Sequence, residues 1–303
     1  MSTIESEPMT APTTPGPGIY DGVSFDTYCK WDAVNFSRLK LMSISPAHYR
    51  YGYKGSTKAL QFGRLAHSGV LESASVPLLY AVMPAYELDA DNQDAKGKSS
   101  TSKATTYYKE RKAEFEHANL GREIVAASTY QDMVDLLKAI EANPRAVEYL
   151  NSPGRVEVSM LWTDPDTGLL CKARADKVAA GGMTDLKTTQ DASNFTKAIM
   201  DYSYHRQAAH YTDGWRILSG EDIPFRIVAV SKTNPIAVRS APIHEDAIRT
   251  GQSQNRIDLD RVAECKASGD WPNLSDPDAW TLPDWYVNKI IDSQVSYEGI
   301  EDA

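Results

Sequence analysis

The sequence predicts an α/β fold, one central mixed sheet covered by helices, and two shifts of hydrophobic rhythm carry that expectation. Apolar positions recur at helical spacing near 103–119 and 128–142, after which VEVSMLWTD alternates with a period of two. DPDTG then reads as a turn and LLCKARADKVAA as a second strand, so the pair forms an antiparallel hairpin. GMTDLKTT is a short third strand, followed by helical patterns at 191–200 and 203–218. FRIVAVSK and IAVRSAPI supply two more strands, and a helix over 244–267 completes the order.

Upstream of the hairpin the signals are mostly helical. NFSRLKLM and SPAHYRYGY read as short helices, the second opened by Ser45-Pro46, and KALQFGRLAHSGVLE (58–72) has helical apolar spacing. Residues 1–18, rich in Ser, Thr, Pro and Gly, are expected to be a disordered leader. Residues 87–106 have almost no apolar content and are expected to form a mobile surface loop. Asn143-Pro144 is expected to close the helix before the hairpin. Three units result: the leader, one domain over 19–269, and a C-terminal segment over 270–303.

Composition excludes several classes. Cys29, Cys171 and Cys265 are dispersed and follow no C-x-x-C spacing, against zinc ribbons, iron–sulfur sites and disulfide frameworks. No apolar run is long enough to span a membrane, and MSTIESEPMT is not a secretory signal, so a cytoplasmic location is expected. The net charge of −9 is unevenly spread. Residues 270–303 carry eight acids against Lys289, whereas 33–71 has no acid and six cations: Arg38, Lys40, Arg50, Lys54, Lys58 and Arg64. Such a basic stretch can cover phosphates despite an acidic whole.

The chemistry centres on D-L-K at 185–187. In a strand, Asp185 and Lys187 project side by side while Leu186 points the other way, into the core. Lys172, Arg174 and Asp176 share one face of the preceding strand, and the Gly181-Gly182 turn brings Asp176 toward Asp185. Two close carboxylates repel unless a cation lies between them or one is protonated, and Mg²⁺, an oxygen-seeking ion, fits. Lys187 would then orient or help deprotonate a bound water, or neutralise charge on a phosphorane. Gln207 and Tyr211, at i and i+4, share a helix face, and His67 follows Gly63 on the basic helix, where Gly63 would admit a close neighbour.

In this order, G-R-L-A-H (63–67), A-R-A-D (173–176), D-L-K-T-T (185–189) and Q-A-A-H-Y (207–211) resemble the PD-(D/E)xK nuclease superfamily. They are similar to its RecE-type branch, the exodeoxyribonuclease VIII domains of phage and prophage recombination. S-R-L-K…S-P-A-H-Y-R (37–50) and E-V-S…C-K-A-R-A-D (157–176) extend the likeness over roughly 19–240. The resemblance implies a restriction-endonuclease-like core with helical N-terminal additions. It implies metal ligation by His67, Asp176, Asp185 and the Leu186 carbonyl, with Lys187 catalytic beside Asp176, Asp185, Gln207 and Tyr211. Glu157 falls near Asp176 by hairpin pairing, as an outer support of the metal site or simply a solvated acid.

Enzymes of this branch digest one strand of linear duplex DNA 5′→3′, using Mg²⁺ or Mn²⁺, and leave a 3′ strand for a single-strand annealing protein. They act as closed homo-oligomeric rings. An endonuclease, a structure-specific nuclease of the same superfamily and a non-catalytic DNA-binding scaffold are the alternatives. The six cations of 33–71, with Arg174 and the interleaved Tyr49, Tyr51 and Tyr53, would grip double-stranded DNA ends without reading sequence. Equally, Tyr49 and Tyr53 would be helix core and the cations a solvated face. The tail, with Trp271, Trp280 and Trp285, is a docking segment for another chain or packs on its own core.

Overall fold

The computed structural model describes residues 14–52, 58–284 and 286–291. The chain opens with β1 (Gly18–Tyr20), α1 (Phe25–Lys30), β2 (Val34–Asn35), α2 (Phe36–Leu39) and α3 (Pro46–Tyr51). A helical region follows: α4 (Lys58–Leu71), α5 (Val76–Leu79), α6 (Thr106–Ala118), α7 (Ala127–Glu141) and α8 (Pro144–Asn151), interrupted by β3 (Tyr80–Met83) and β4 (Glu123–Ala126). The hairpin β5 (Gly154–Thr163) and β6 (Leu170–Ala179) comes next, then β7 (Gly182–Thr189). The chain continues with α9 (Phe195–Asp201), α10 (Tyr204–Ser219), β8 (Phe225–Ser231), β9 (Val238–Pro242) and α11 (Glu245–Ser268).

Among the described residues the main sheet runs β1-β5-β6-β7-β8-β9, with β2 attached to β6. The β5–β6–β7 pairs are antiparallel and β7–β8 is parallel, which makes the sheet mixed as expected. Central β8, FRIVAVS, is buried on both sides. Ile227 and Ala229 join one apolar cluster with Ala208, Trp215, Leu259 and Val262, from α10 and α11. Val228 and Val230 join another with Ala66, Leu136, Ile140 and Leu150, from α4, α7 and α8. Period-two alternation in a strand covered on both faces thus builds two cores and a three-layer sandwich.

Several expectations need correction. Gly18 already belongs to the sheet, paired with Leu161, and Thr14 Oγ1 accepts the Asp32 N–H at 2.9 Å, so order begins inside the expected leader. The polar loop at 87–106 is organised rather than loose: buried Asn92 donates to the carbonyls of Glu87 and Ser100 and accepts from Thr105. Asn143 closes α7 and also caps α8, since its side chain accepts from the Ala146 N–H and Pro144 occupies the first turn. The small parallel β3–β4 sheet carried no sequence signal; each strand has only four residues, too short for alternation to register. Gly63 has no close neighbour, since a Cβ there would meet only Thr188 Oγ1 at 3.8 Å.

The α10–α11 contact fixes how α10 presents its inner face. Gly251 lets the helices approach so closely that a Cβ there would lie 2.6 Å from the His205 carbonyl oxygen. Beside it, buried Arg206 donates to Asp258 Oδ2 at 2.6 Å and to Asn255 Oδ1 at 3.0 Å, while Asn255 Nδ2 returns a bond to the Arg206 carbonyl. Removing one partner of a buried ion pair strands the other charge. Asp258→Ala is therefore expected to lower unfolding free energy by about 3–5 kcal/mol, and Asp258→Asn by less, in urea titrations. Equal, sub-kcal losses in both variants would contradict the role given to this pair.

Candidate active site

Strand β6 builds the site. One edge pairs with β5 from Gly154↔Ala179 to Thr163↔Leu170. The other pairs with β7 only at Lys177–Ala179 and with β2 only at Cys171 and Lys172. Between those contacts the sheet forks, because β7 leaves to follow β8 over seven paired residues. Asp176 stands where the fork opens, and its Oδ2 accepts the Leu186 N–H at 2.8 Å, replacing the missing ladder bond. On the other side, Glu157 falls between the pairs Val156↔Lys177 and Val158↔Ala175 with φ of 53°. A left-handed glutamate costs roughly 1–3 kcal/mol and persists only where its surroundings hold it.

Three elements converge on this fork. From α4, His67 Nε2 lies 2.8 Å from the Leu186 carbonyl oxygen, which can only accept, so Nε2 carries the proton. The bare Nδ1 then faces Asp176 Oδ2 at 3.4 Å. From β7, Lys187 Nζ lies 2.6 Å from Asp185 Oδ2. From α10, Gln207 Nε2 donates to Asp185 Oδ1 at 3.1 Å, and Gln207 also hydrogen-bonds Tyr211. Leu186 itself is fully buried against Ala66 and Leu136, so the D-L-K alternation reads as expected.

The electrostatics follow from burial. Asp176 is held well above the usual carboxylate range, first by desolvation and then by the neighbouring Asp185. Burial pushes His67 below its ordinary value, against the pull of Asp185. Burial alone would lower Lys187, but Asp185 and Asp176 outweigh it and raise it, so the side chain is an ammonium at neutral pH. That favours charge neutralisation over proton abstraction among the roles considered for Lys187. Tyr211 is raised well above 10 by burial and stays a neutral phenol packed edge-on to Phe225.

The donor set suits a divalent cation. One ligand atom each from His67, Glu157 and Asp176 lies within 4.8 Å of the others, and all three atoms are acceptors. Asp185 Oδ2 is buried and receives no hydrogen bond of good geometry, although the Lys187 ammonium is beside it. Carboxylates crowded together repel one another unless a cation lies between them or one is protonated, and the imidazole Nδ1 beside them adds a further acceptor. Glu157 therefore joins the histidine and Asp176 directly, a closer position than hairpin pairing alone could fix. A hollow of about 490 Å³ lies elsewhere, lined by Val76, Tyr80, Phe115 and Met133.

The expected DNA-binding cations do not form one set. Arg174 is a correction: its guanidinium donates to Glu157 at 2.5 Å, to the Val23 carbonyl at 2.6 Å and to Ser159 at 3.1 Å, so it braces the site from within. Arg38 donates to the carbonyls of Tyr49 and Arg50 at the end of α3, Lys40 lies over the Phe36 ring, and Arg64 pairs with Glu123 at 3.4 Å. Arg50 is exposed and lies over Trp271. Lys54, Tyr53 and the side chain of Lys58 lie outside the described residues, as does Trp285. Tyr49 is core, stacked on Trp271 at 5.6 Å, and the Pro272 carbonyl accepts the Ala47 N–H, so the tail begins by packing on its own domain.

His210, inside Q-A-A-H-Y, has a structural place. Its Nε2–H donates to the Lys172 carbonyl at 3.2 Å, its ring sits 4.8 Å from Trp162, and burial pushes it down to about 4. Unfolded histidine titrates near ~6.5, so the unfolded chain gains a proton that the fold refuses as pH falls. Stability contributed by neutral His210 is thus complete above pH ~6.5 and is lost progressively down to about 4. The loss is about 3 kcal/mol, and His210→Leu is expected to flatten that limb of a pH-dependent urea titration. An unchanged slope would refute the assignment.

A mixed sheet between helices, forked so that two carboxylates, a lysine and a helical histidine meet, defines a restriction-endonuclease-like, PD-(D/E)xK fold. Residues 35–277 match the family described as a PDDEXK-like domain of unknown function, DUF3799, and the chain belongs to that family. Among solved structures, a protein of Eubacterium rectale described as a candidate exonuclease is similar over 87% of this chain and 96% of its own, with TM-score 0.55 and 13% identity. An alkaline exonuclease from Laribacter hongkongensis aligns over 55% of this chain and 86% of its own at 14% identity, but its TM-score of 0.26 adds nothing to the fold assignment. No curated protein matches the sequence. Among the described residues, no helix is long and apolar enough to cross a membrane.

Proposed function

We propose that this chain is a metal-dependent deoxyribonuclease of the RecE-like type that digests linear double-stranded DNA from its ends, 5′→3′. The observation that carries the reading is the meeting of His67, Asp176, Asp185 and Lys187 at the β6–β7 fork. His67, Asp176, Asp185 and the Leu186 carbonyl, with Glu157, would hold Mg²⁺ or Mn²⁺. When bound, such an ion supplies Lewis-acid polarisation of the phosphate and a more acidic water. Lys187, an ammonium, would neutralise charge developing on the phosphate oxygens. Gln207 fixes the orientation of Asp185, and Arg174 holds Glu157 toward Asp176.

The biological setting follows from the same reading. The product is a 3′ single strand handed to an annealing protein, and the working form is a homo-oligomeric ring in the cytoplasm. The test is digestion of linear duplex labelled at either 5′ or 3′ ends, with Mg²⁺ or EDTA, beside a closed circle. Metal-dependent loss of the 5′ label from linear DNA alone is the expected result. Cutting of the circle would replace the exonuclease with an endonuclease.

A further inference from the structure

At the junction of α9 and α10 three aromatic rings lead away from Lys187. The Lys187 ammonium lies over the Tyr204 ring at 4.9 Å. Tyr204 stacks on Phe195 at 5.7 Å and 17°, and meets Tyr202 at 5.6 Å and 30°. Phe195 and Tyr204 are half-buried, but Tyr202 is 55% exposed and Met200 beside it 69%. The rings therefore run from the catalytic lysine outward, and the outermost one is open to solvent.

A regular helix would not build this. Residues two apart on an α-helix point about 200° apart, so Tyr202 and Tyr204 would face opposite sides. Between them Ser203 takes φ 59° and ψ 40°, a left-handed conformation with no glycine to ease it. Ser203 follows Tyr202, the C-cap of α9, and is itself the N-cap of α10, and with the turn made there the two tyrosine rings meet at 5.6 Å. The strain has no compensating cap, since the Ser203 side chain bonds no backbone N–H of α10. A strained residue whose effect is to place a solvent-open aromatic beside a catalytic group points to a ligand for that aromatic.

We infer that Tyr202, braced by Tyr204, is a stacking platform for an unpaired nucleobase next to the scissile phosphate. The inference rests on the nuclease reading and adds a residue that would meet substrate. An aromatic face accepts any base, so the platform fits a sequence-indifferent enzyme that needs a strand end parted from its complement. Its continuity with Lys187 commits the occupant: the base belongs to the strand whose phosphate lies at the fork. Tyr204, in contact with both Lys187 and Tyr202, sets the distance between phosphate and base.

The test uses the full chain with Ca²⁺ in place of Mg²⁺, and DNA duplexes with a frayed end carrying either a 2-aminopurine or an abasic residue. Tyr202→Ala is expected to weaken binding of the base-bearing end roughly 5- to 100-fold and to abolish 2-aminopurine quenching. Tyr202→Phe keeps both, and the abasic end binds all three proteins alike. Wild-type hydrolysis of DNA and of bis(4-nitrophenyl) phosphate, a small diester that carries no base, is measured alongside with Mn²⁺. If Tyr202→Ala and the wild type bind base-bearing and abasic ends with the same ratio, the platform is refuted while the nuclease reading stands. If base-dependent binding is lost as expected but the wild type hydrolyses neither DNA nor the small diester, the nuclease reading alone fails.

Discussion

Lys187→Ala is expected to reduce DNA cleavage by roughly 10²–10³-fold or more while leaving DNA affinity nearly unchanged. Lys187 lies 2.6 Å from Asp185 and is kept charged by Asp185 and Asp176 together, so in the proposed reaction it would act on charge that develops as the phosphate reacts rather than on substrate at rest. Loss should therefore appear in kcat with KM close to wild type. Lys187→Arg should not restore activity, because a planar guanidinium cannot occupy the point-charge position between Asp185 and the Tyr204 ring. Without metal, the alanine variant also leaves Asp185 buried beside no cation, so its melting temperature in EDTA should fall. Single-turnover digestion and Kd on the same duplex decide it; an unaltered kcat would remove Lys187 from the chemistry.

Asp176→Asn is expected to stabilise the metal-free protein and abolish its stabilisation by divalent ions. An asparagine oxygen can still accept the Leu186 N–H, so the fork keeps its hydrogen bond. What disappears is a carboxyl that burial and Asp185 already force upward, a site where function is held against stability. The gain in EDTA should be about 1–2 kcal/mol, or ~2–6 °C in Tm for a chain of this size. The wild type, by contrast, should gain about 2.7 kcal/mol when Mg²⁺ or Mn²⁺ reaches 100 times its Kd. Thermal melts with EDTA and with each metal read both effects. An Asp176→Asn protein that melts lower in EDTA, or still responds to metal, would break the account of this carboxylate.

How much of this was legible beforehand depends on the range of the interaction. Strands β5 to β8 were readable because each is long enough for alternation to show, and D-L-K placed Leu186 in the core and its neighbours on the other face. Asp176 and Asp185 were readable because one short turn joins their strands. What brings His67 to Leu186 is the packing of α4 across 119 positions of sequence, which periodicity does not encode and only the family resemblance supplied. The fork was hidden because it depends on β2 taking the Cys171–Lys172 end of the β6 edge while β7 keeps to β8 on its other edge. Glu157's left-handed backbone and the turn at Ser203 left no mark either, since neither position is a glycine or asparagine. The cation count over 33–71 was correct, but charge alone could not tell that Arg174 is consumed inside the protein.

Leu186 illustrates what the fork does to a single peptide unit. Its N–H is held by the Asp176 carboxylate and its carbonyl by the His67 imidazole, so both backbone groups of one residue read out two site side chains. The leucine side chain faces the core and senses neither. In a spectrum of protein labelled with ¹⁵N-leucine, the resonance of this one amide becomes a gauge of the site: an N–H bonded to a carboxylate is deshielded, and it shifts whenever that carboxylate gains a proton or another partner. Titrating a metal while following that cross-peak would report occupancy without any substrate present.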